Sequence, residues 1–380
     1  MSGIGCIDGA HEIQLKDGAV PVIHASRKVP VALKPKLKQK LDSLERLKII
    51  EKVVKPTEWV QSLVIVYKAN GDMRLCLDPK DLNNVIMRPH FQMPSFEKIS
   101  AKMAGAKYFS TLDSKNGFWH VKLTKQSSDL CTFNTPFCCY KFLRLPYGIC
   151  SASEVFQQKM KEIFNDIEGV EVYVDDLILW GRTKAEHDAR LKLILDKMRL
   201  EKIKLNKDKC RLCVSEITYL GHRFTQNGID IDENKVRAIY CMESPNDRKS
   251  LERFLGLVTY VSKYLPNVSE HTAPLRAILK KKSTFDWQHE QQKAFDNLKK
   301  LLTNRPVLQF FDTKKPTVIT VDSSQNGLGA ALLQNNLPVA YASKAQNETQ
   351  RRFAQIEKEM LAIVFGCERF HHYVFGSRFT

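Results

Sequence analysis

Residues 170–181 read VEVYVDDLILWG, two apolar, β-prone runs that meet at Asp175-Asp176. The pattern predicts a hairpin with two carboxylates at its tip. Taken alone, the stretch supports two readings. One is a surface turn, since Asp is a favoured turn residue. The other is a cation site, because adjacent carboxylates repel unless a cation neutralises them.

Outward from this hairpin, residues 107–113, KYFSTLD, form a second β-rich run that delivers Asp113 at its end. Ser114 to Gly117 breaks the run, and residues 119–123 are expected to resume strand character. A strand-terminal Asp beside an Asp-Asp hairpin makes a three-carboxylate cluster. Such a cluster suits two divalent ions, one activating an attacking oxygen and one steadying the leaving group.

Residues 151–167 are expected to form the helix that leads into the hairpin, capped by Ser151 or Ser153, with Glu154 completing a capping box. Upstream, residues 62–68 and 73–78 are strand-like runs around Ala69-Asn70-Gly71-Asp72, whose Asn-Gly suits a tight turn. Lys68 and Arg74 flank that turn and are candidate phosphate ligands, Arg as a bidentate fork and Lys as a point charge. Residues 130–134 and 138–142 read as a further hairpin.

The chain has 380 residues, enough for more than one domain. Its 59 Lys+Arg against 42 Asp+Glu give a net charge of +17, the footprint of a polyanion-binding surface. Basic charge alone also suits an acidic membrane or an acidic protein. No run of about 18 apolar residues and no signal-peptide pattern appears, so an intracellular protein without a membrane partner is expected. The ten Cys are scattered, and the single CxxC, Cys210 to Cys213, lacks a second pair at zinc-ligand spacing, which favours reduced structural thiols.

Residues 1–33 read as an extended arm or linker, and Leu37, Leu41, Leu44 and Leu47 as one face of a helix. Beyond the hairpin come a charged helix over 184–201 and a strand pair ending in residues 217–222, ITYLGH. Amphipathic helices around 251–261 and 287–302 follow, separated by the lysine run 280–282, which reads as a solvated loop. Three strands (317–322, 328–334, 338–342) and a long helix over 350–373 close the chain. Asp322 and Glu359 make a second acidic pair there.

Tyr173-Val174-Asp175-Asp176, preceded in order by Phe109-Ser110-Thr111-Leu112-Asp113 and Leu145-Pro146-Tyr147-Gly148, resembles a reverse transcriptase, most nearly those of gypsy-type long-terminal-repeat retrotransposons. The resemblance runs from about His11 to Thr380. It implies an α+β right-hand polymerase of fingers, palm and thumb, followed by a C-terminally truncated ribonuclease H-like α/β domain. The implied division is an arm (1–33), fingers and palm (34–225), thumb-like helices (226–284) and the ribonuclease H-like part (285–380).

By position, the resemblance implies that Asp113, Asp175 and Asp176, with the Ser114 carbonyl, hold two magnesium ions, manganese being the alternative. Lys68, Arg74, Phe118 and Tyr147 are implied to bind the incoming deoxynucleoside triphosphate, Phe118 as a gate against the 2′-hydroxyl. Gln157, Leu220, Gly221, His222, Gly256 and Tyr260 are implied to contact nucleic acid, the thumb pair at i and i+4 tracking the minor groove. Asp322 and Glu359 correspond to ribonuclease H metal ligands. The third acidic position of that family lies beyond Phe379-Thr380, so weak or absent hybrid cleavage is expected.

The implied partners are an RNA or DNA template with primer, deoxynucleotides and RNA-DNA hybrid, in a cytoplasmic particle. The rival expectation is a non-catalytic nucleic-acid-binding remnant of a mobile element.

Overall fold

The computed structural model describes residues 3–68, 71–91, 93–280 and 283–380. Asn70 of the expected Asn-Gly turn, and Lys281 and Lys282 of the lysine run, lie outside the described residues. The chain packs as two compact units, Met1–Ser95 with Phe109–Cys213, and Phe96–Tyr108 with Val214–Thr380. The strands after Val214, grouped from sequence with fingers and palm, therefore pack with the C-terminal unit.

The first unit is built on a four-stranded sheet in the order Arg211–Val214, Tyr108–Asp113, Asp176–Gly181, Val170–Tyr173. Residues 177–181 are all buried, which is why this stretch reads as an unbroken apolar run rather than an alternation. The helices Ala152–Phe164 and Lys184–Leu200 pack on the hairpin strands, burying Val155, Phe156 and Met160 from the first and Ile194 and Met198 from the second. Thr183 caps the second helix by accepting from the Glu186 amide at 3.2 Å. The expected Ser151 cap makes no side-chain hydrogen bond, and Glu154 pairs with Arg88 rather than closing a capping box.

Ser62–Tyr67 and Met73–Asp78 pair antiparallel, with Tyr67 opposite Met73. The residues expected to begin a strand at Leu130 end a short helix, Lys125–Leu130, capped by Thr124; the strand is Thr132–Asn134. Likewise Gly117–His120 is a 3-10 turn entered through left-handed Asn116, leaving only Lys122–Leu123 extended. The N-terminal arm is docked rather than free: Ala10–His11 runs parallel to Lys122–Leu123, and Ile7 and Ile13 are buried in the same core as the sheet.

The second unit opens with an antiparallel meander, Glu216–Tyr219, His222–Thr225 and Gly228–Ile231. Four helices follow, Glu233–Tyr240, Arg248–Val261, Val268–Ala277 and His289–Thr303. The helix Arg248–Val261 carries an Asp247/Ser250 capping box and buries the predicted stripe Leu251, Phe254, Leu255, Val258 and Val261. A second antiparallel sheet, Thr317–Ser323, Gly327–Gln334 and Leu337–Ala345, packs under Gln355–Arg369.

The single helix expected over 350–373 is three: Glu348–Arg351, Gln355–Arg369 and His371–Val374. The first break is set by Ala354, extended at φ −61, ψ 156, whose amide is held by Glu357 Oε2 at 2.8 Å. Glu357 thus starts a new helix instead of continuing one. No helix among the described residues is long and apolar enough to cross a membrane.

Candidate active site

Asp113 ends the strand Tyr108–Asp113 and Asp176 begins the neighbouring strand Asp176–Gly181, and the Ser114–Asp175 backbone bond brings that strand end to the hairpin tip. Asp175 lies in the two-residue loop closed by the Asp176–Tyr173 pair. Its neighbour Val174 adopts φ +53, a left-handed conformation that costs a β-branched residue about 1–3 kcal/mol.

Gln157 holds that turn. Its Oε1 accepts from the Val174 amide at 2.5 Å and its Nε2 donates to the Val172 carbonyl at 2.7 Å. With only 1% of its surface exposed, Gln157 is a brace beneath the hairpin. Ser114 ties the other strand end to the turn, its amide donating to the Asp175 carbonyl at 3.0 Å.

The electrostatics follow from this crowding. Burial and the charges of Asp113 and Asp176 push Asp175 up to about 6, against the opposing pull of Arg74 and Lys209. Asp176 is raised by burial and by Asp113. Asp175 Oδ1 is buried and has no hydrogen-bond partner. Gly117 makes this possible, since a Cβ there would overlap Asp175 Oδ1 and lie 2.8 Å from the Phe156 ring.

Lys209, which sequence reasoning missed, supplies a counter-charge to Asp113, its Nζ lying 2.9 Å from Oδ2. That hydrogen bond raises the Lys209 pKa, with Asp176 and Asp175 adding to it. Lys209 lies 96 residues from Asp113 in sequence, so no local pattern marks it. Among the described residues the three carboxylates do not gather within 4.8 Å of one another. An orphaned buried carboxylate oxygen, two further carboxylates and a glycine-made cradle fit hard divalent cations.

Beside the carboxylates, the Phe118 ring lies 5.1 Å from the ring of Tyr147 and 5.8 Å from that of Phe156. The Arg74 guanidinium sits 4.4 Å over the Tyr147 face, its Nε buried without a hydrogen-bond partner. Burial, then Asp175, raises the Tyr147 hydroxyl well above its ordinary value, so it stays protonated. Lys68 stands apart from this group, paired with Asp72 at 3.6 Å, and Asp72 also binds Lys40 at 3.0 Å.

In the second unit, Leu220 and Gly221 both have positive φ, +50 and +76, and close the hairpin between Tyr219 and His222. His222 is 4% exposed and props the hairpin from within. Its Nδ1 lies 2.7 Å from the Tyr264 hydroxyl, and burial with nearby Lys263 and Lys235 lowers it to about 3. Tyr260 stacks on His222 and donates to the Leu220 carbonyl at 3.0 Å, while Gly256 on the same helix is exposed and faces open space.

Asp322 and Glu359 are both exposed. Gln355 bridges between their elements, reaching Ser323 Oγ at 3.1 Å and Glu359 Oε1 at 3.3 Å. Among the described residues, no third His, Cys, Asp or Glu joins this pair in a compact ligand group.

Comparison with known proteins gives a consistent picture. Residues 66–224 match the family model described as reverse transcriptase (RNA-dependent DNA polymerase), and residues 287–380 match an RNase H-like domain found in reverse transcriptase. The chain is 34% identical over 309 residues to the retrovirus-related Pol polyprotein from transposon 297 of Drosophila melanogaster, covering 80% of the chain and 29% of the polyprotein. To that from transposon 412 of the same organism it is 32% identical over 381 residues, covering 97% and 31%. The chain thus spans less than a third of these relatives. A foamy viral protease-reverse transcriptase dRH in complex with double-stranded DNA shares the fold at a TM-score of 0.91 and 23% identity, covering 98% of this chain and 66% of that one.

Proposed function

We propose that this chain, whose residues 66–224 match the reverse transcriptase family model and which is similar to retrotransposon Pol polyproteins, is an RNA-directed DNA polymerase extending a primer with deoxynucleoside triphosphates. The observation that carries the reading is the orphaned Asp175 Oδ1 in its glycine cradle, flanked by Asp113 and Asp176. A buried carboxylate raised to about 6 is a poor arrangement for a bare protein and a suitable one for binding cations.

Asp113, Asp175 and Asp176, with the Ser114 carbonyl, would hold two magnesium ions. When bound, the ions would supply charge neutralisation at the attacking 3′-hydroxyl, the α-phosphate and the departing pyrophosphate. The chain's own side chains do the rest. Arg74, pinned against Tyr147, presents its guanidinium to the triphosphate without the entropy loss of an unsupported side chain. Phe118, packed on Tyr147 and Phe156, holds a rigid ring against the sugar and so excludes a 2′-hydroxyl. Lys68 is the more distant phosphate ligand, released from Asp72 when a triphosphate arrives.

For nucleic acid, the half-buried Leu220-Gly221 tip and the exposed Gly256/Tyr260 face are the proposed contacts. The surplus of basic residues makes the affinity salt-sensitive and largely independent of sequence. Asp322 and Glu359 are the proposed ribonuclease H ligands, and two exposed carboxylates alone hold catalytic ions weakly.

The test is primer extension on an RNA template with magnesium and deoxynucleotides, comparing wild type with Asp175→Asn. Extension that vanishes in the variant is expected. A folded wild-type chain that binds hybrid but never extends would replace this reading with that of a binding remnant.

A further inference from the structure

Behind the carboxylates, two elements of the first unit meet at His187, Asp188 and Cys213, and a third, the strand Tyr108–Asp113, joins them through Ser110. His187 and Asp188 lie in the first turns of the helix Lys184–Leu200, and Cys213 lies in the edge strand Arg211–Val214. One ligand atom from each lies within 4.8 Å of the other two, the one such group of His, Cys, Asp and Glu found among the described residues.

His187 is fully buried, its Nδ1 2.8 Å from Asp188 Oδ1 and its Nε2 2.8 Å from Ser110 Oγ. Ser110, itself fully buried, also accepts the Cys213 amide at 2.8 Å. Asp188 is 51% exposed, which gives the group a path to solvent. Cys213 adopts φ +50, an uncommon conformation for a strand cysteine, which persists only where its surroundings hold it.

We propose that His187 Nδ1, Asp188 and Cys213 Sγ form a zinc-binding site, with Ser110 as the partner that fixes the imidazole tautomer. An imidazole nitrogen, a carboxylate and a thiolate are the donor types zinc takes, and three protein ligands leave its fourth position to water. Zinc bonds of about 2.0–2.3 Å need donor separations of roughly 3.3–3.6 Å. Side-chain rotations of about 1 Å reach that spacing, the 2.8 Å His187–Asp188 pair opening by about 0.5 Å and Cys213 Sγ, now within 4.8 Å, closing on both.

Proton balance is simple. The His187 ring proton moves to Nε2 and is donated to Ser110, freeing Nδ1, and the Cys213 thiol proton leaves to solvent. A buried hydrogen bond from the second nitrogen is the usual support for a histidine ligand. The Cys210-Cys213 spacing misleads in this respect. Its second cysteine finds its partners on a helix some 25 residues upstream, so no motif spacing reports it.

The site joins the strand bearing Asp113, the helix behind the hairpin and the edge strand. Zinc is therefore expected to stabilise the full chain by mass action.

The experiment titrates metal-free, reduced full chain with Co2+ and with Zn2+ against a competing chelator. A thiolate-to-cobalt charge-transfer band in the near ultraviolet, displaced by one equivalent of Zn2+, is expected for wild type. Hard-cation binding at the other carboxylates gives no such band. Cys213→Ser is expected to abolish it, exposed Asp188→Asn to weaken Zn2+ binding tenfold or more, and Cys210→Ser to leave both unchanged. Absence of the band in wild type, its survival in Cys213→Ser, or its loss in Cys210→Ser would each overturn the proposal.

Discussion

Replacing Gly117 by Ala tests whether the Asp175 cradle is the functional core of this chain. The new methyl would overlap Asp175 Oδ1 and lie 2.8 and 2.9 Å from two Phe156 ring atoms. Carbon atoms at rest stand about 3.5–4.0 Å apart, so something must move by about 1 Å. Phe156 is fully buried against Phe118 and cannot retreat without opening the core. The displacement therefore falls on Asp175 and the Gly117 turn.

Overpacking of this kind costs about 1–3 kcal/mol of stability. A 1 Å misplacement of a reacting group costs on the order of a hundredfold in rate, equivalent to about 2.7 kcal/mol in the barrier. The assay is single-turnover primer extension at saturating deoxynucleotide and magnesium, with thermal unfolding of the same preparation. A folded Gly117→Ala chain extending within threefold of wild type would refute the reasoning. It would mean that Asp175 is not held at the chemistry by this contact.

Gln157→Leu removes two backbone hydrogen bonds from a strained turn, and a loss of about 2–3 kcal/mol in stability is expected. Its kcat should fall with template affinity nearly unchanged; weaker template binding at unchanged kcat would support Gln157 as a template contact. Asp175 has a folded pKa raised above its unfolded value, so without metal stability should fall as pH rises from about 4 to about 6, and Asp175→Asn should be the more stable protein at pH 7 by about 1 kcal/mol. Denaturant melts with and without chelator check this, and a wild type that gains stability across that pH window relative to Asp175→Asn would contradict it. Arg74→Lys keeps the charge but loses the fork and the stacking on Tyr147, so the deoxynucleotide KM is expected to rise about tenfold, and Arg74→Ala further; equal KM for wild type and Arg74→Lys would remove the guanidinium's geometric role. RNA strand cleavage in a hybrid is expected to be weak or absent, and robust magnesium-dependent cleavage lost in Asp322→Asn would show that two exposed carboxylates suffice.

What the sequence carries by itself is the local part of this protein. Two apolar runs around Asp175-Asp176 specify a hairpin, and the run ending at Asp113 specifies a strand, because side-chain alternation and burial are written in neighbouring residues. The order of these motifs carries a resemblance that the family models matched over residues 66–224 and 287–380 share, and the stripe Leu251 to Val261 is enough to place a helix. Sequence misjudged elements where a cap outweighed periodicity. Thr124 starts a helix ahead of Thr132–Asn134, and Glu357 restarts one after Ala354.

Only the tertiary structure decided what the side chains do once those elements meet. Gln157 looks like a surface polar residue on its helix until the hairpin folds over it. Lys209 acquires a role only when the strand that follows it lies beside the one ending in Asp113. Gly117 is required not by its own backbone but by a carboxylate and a ring that arrive from other elements. His187 and Cys213 share a site across a sheet edge. The physical reason is common to all four: local spacing sets backbone conformation, whereas hydrogen bonds, ion pairs and cavity shape depend on residues brought together by burial of a shared core.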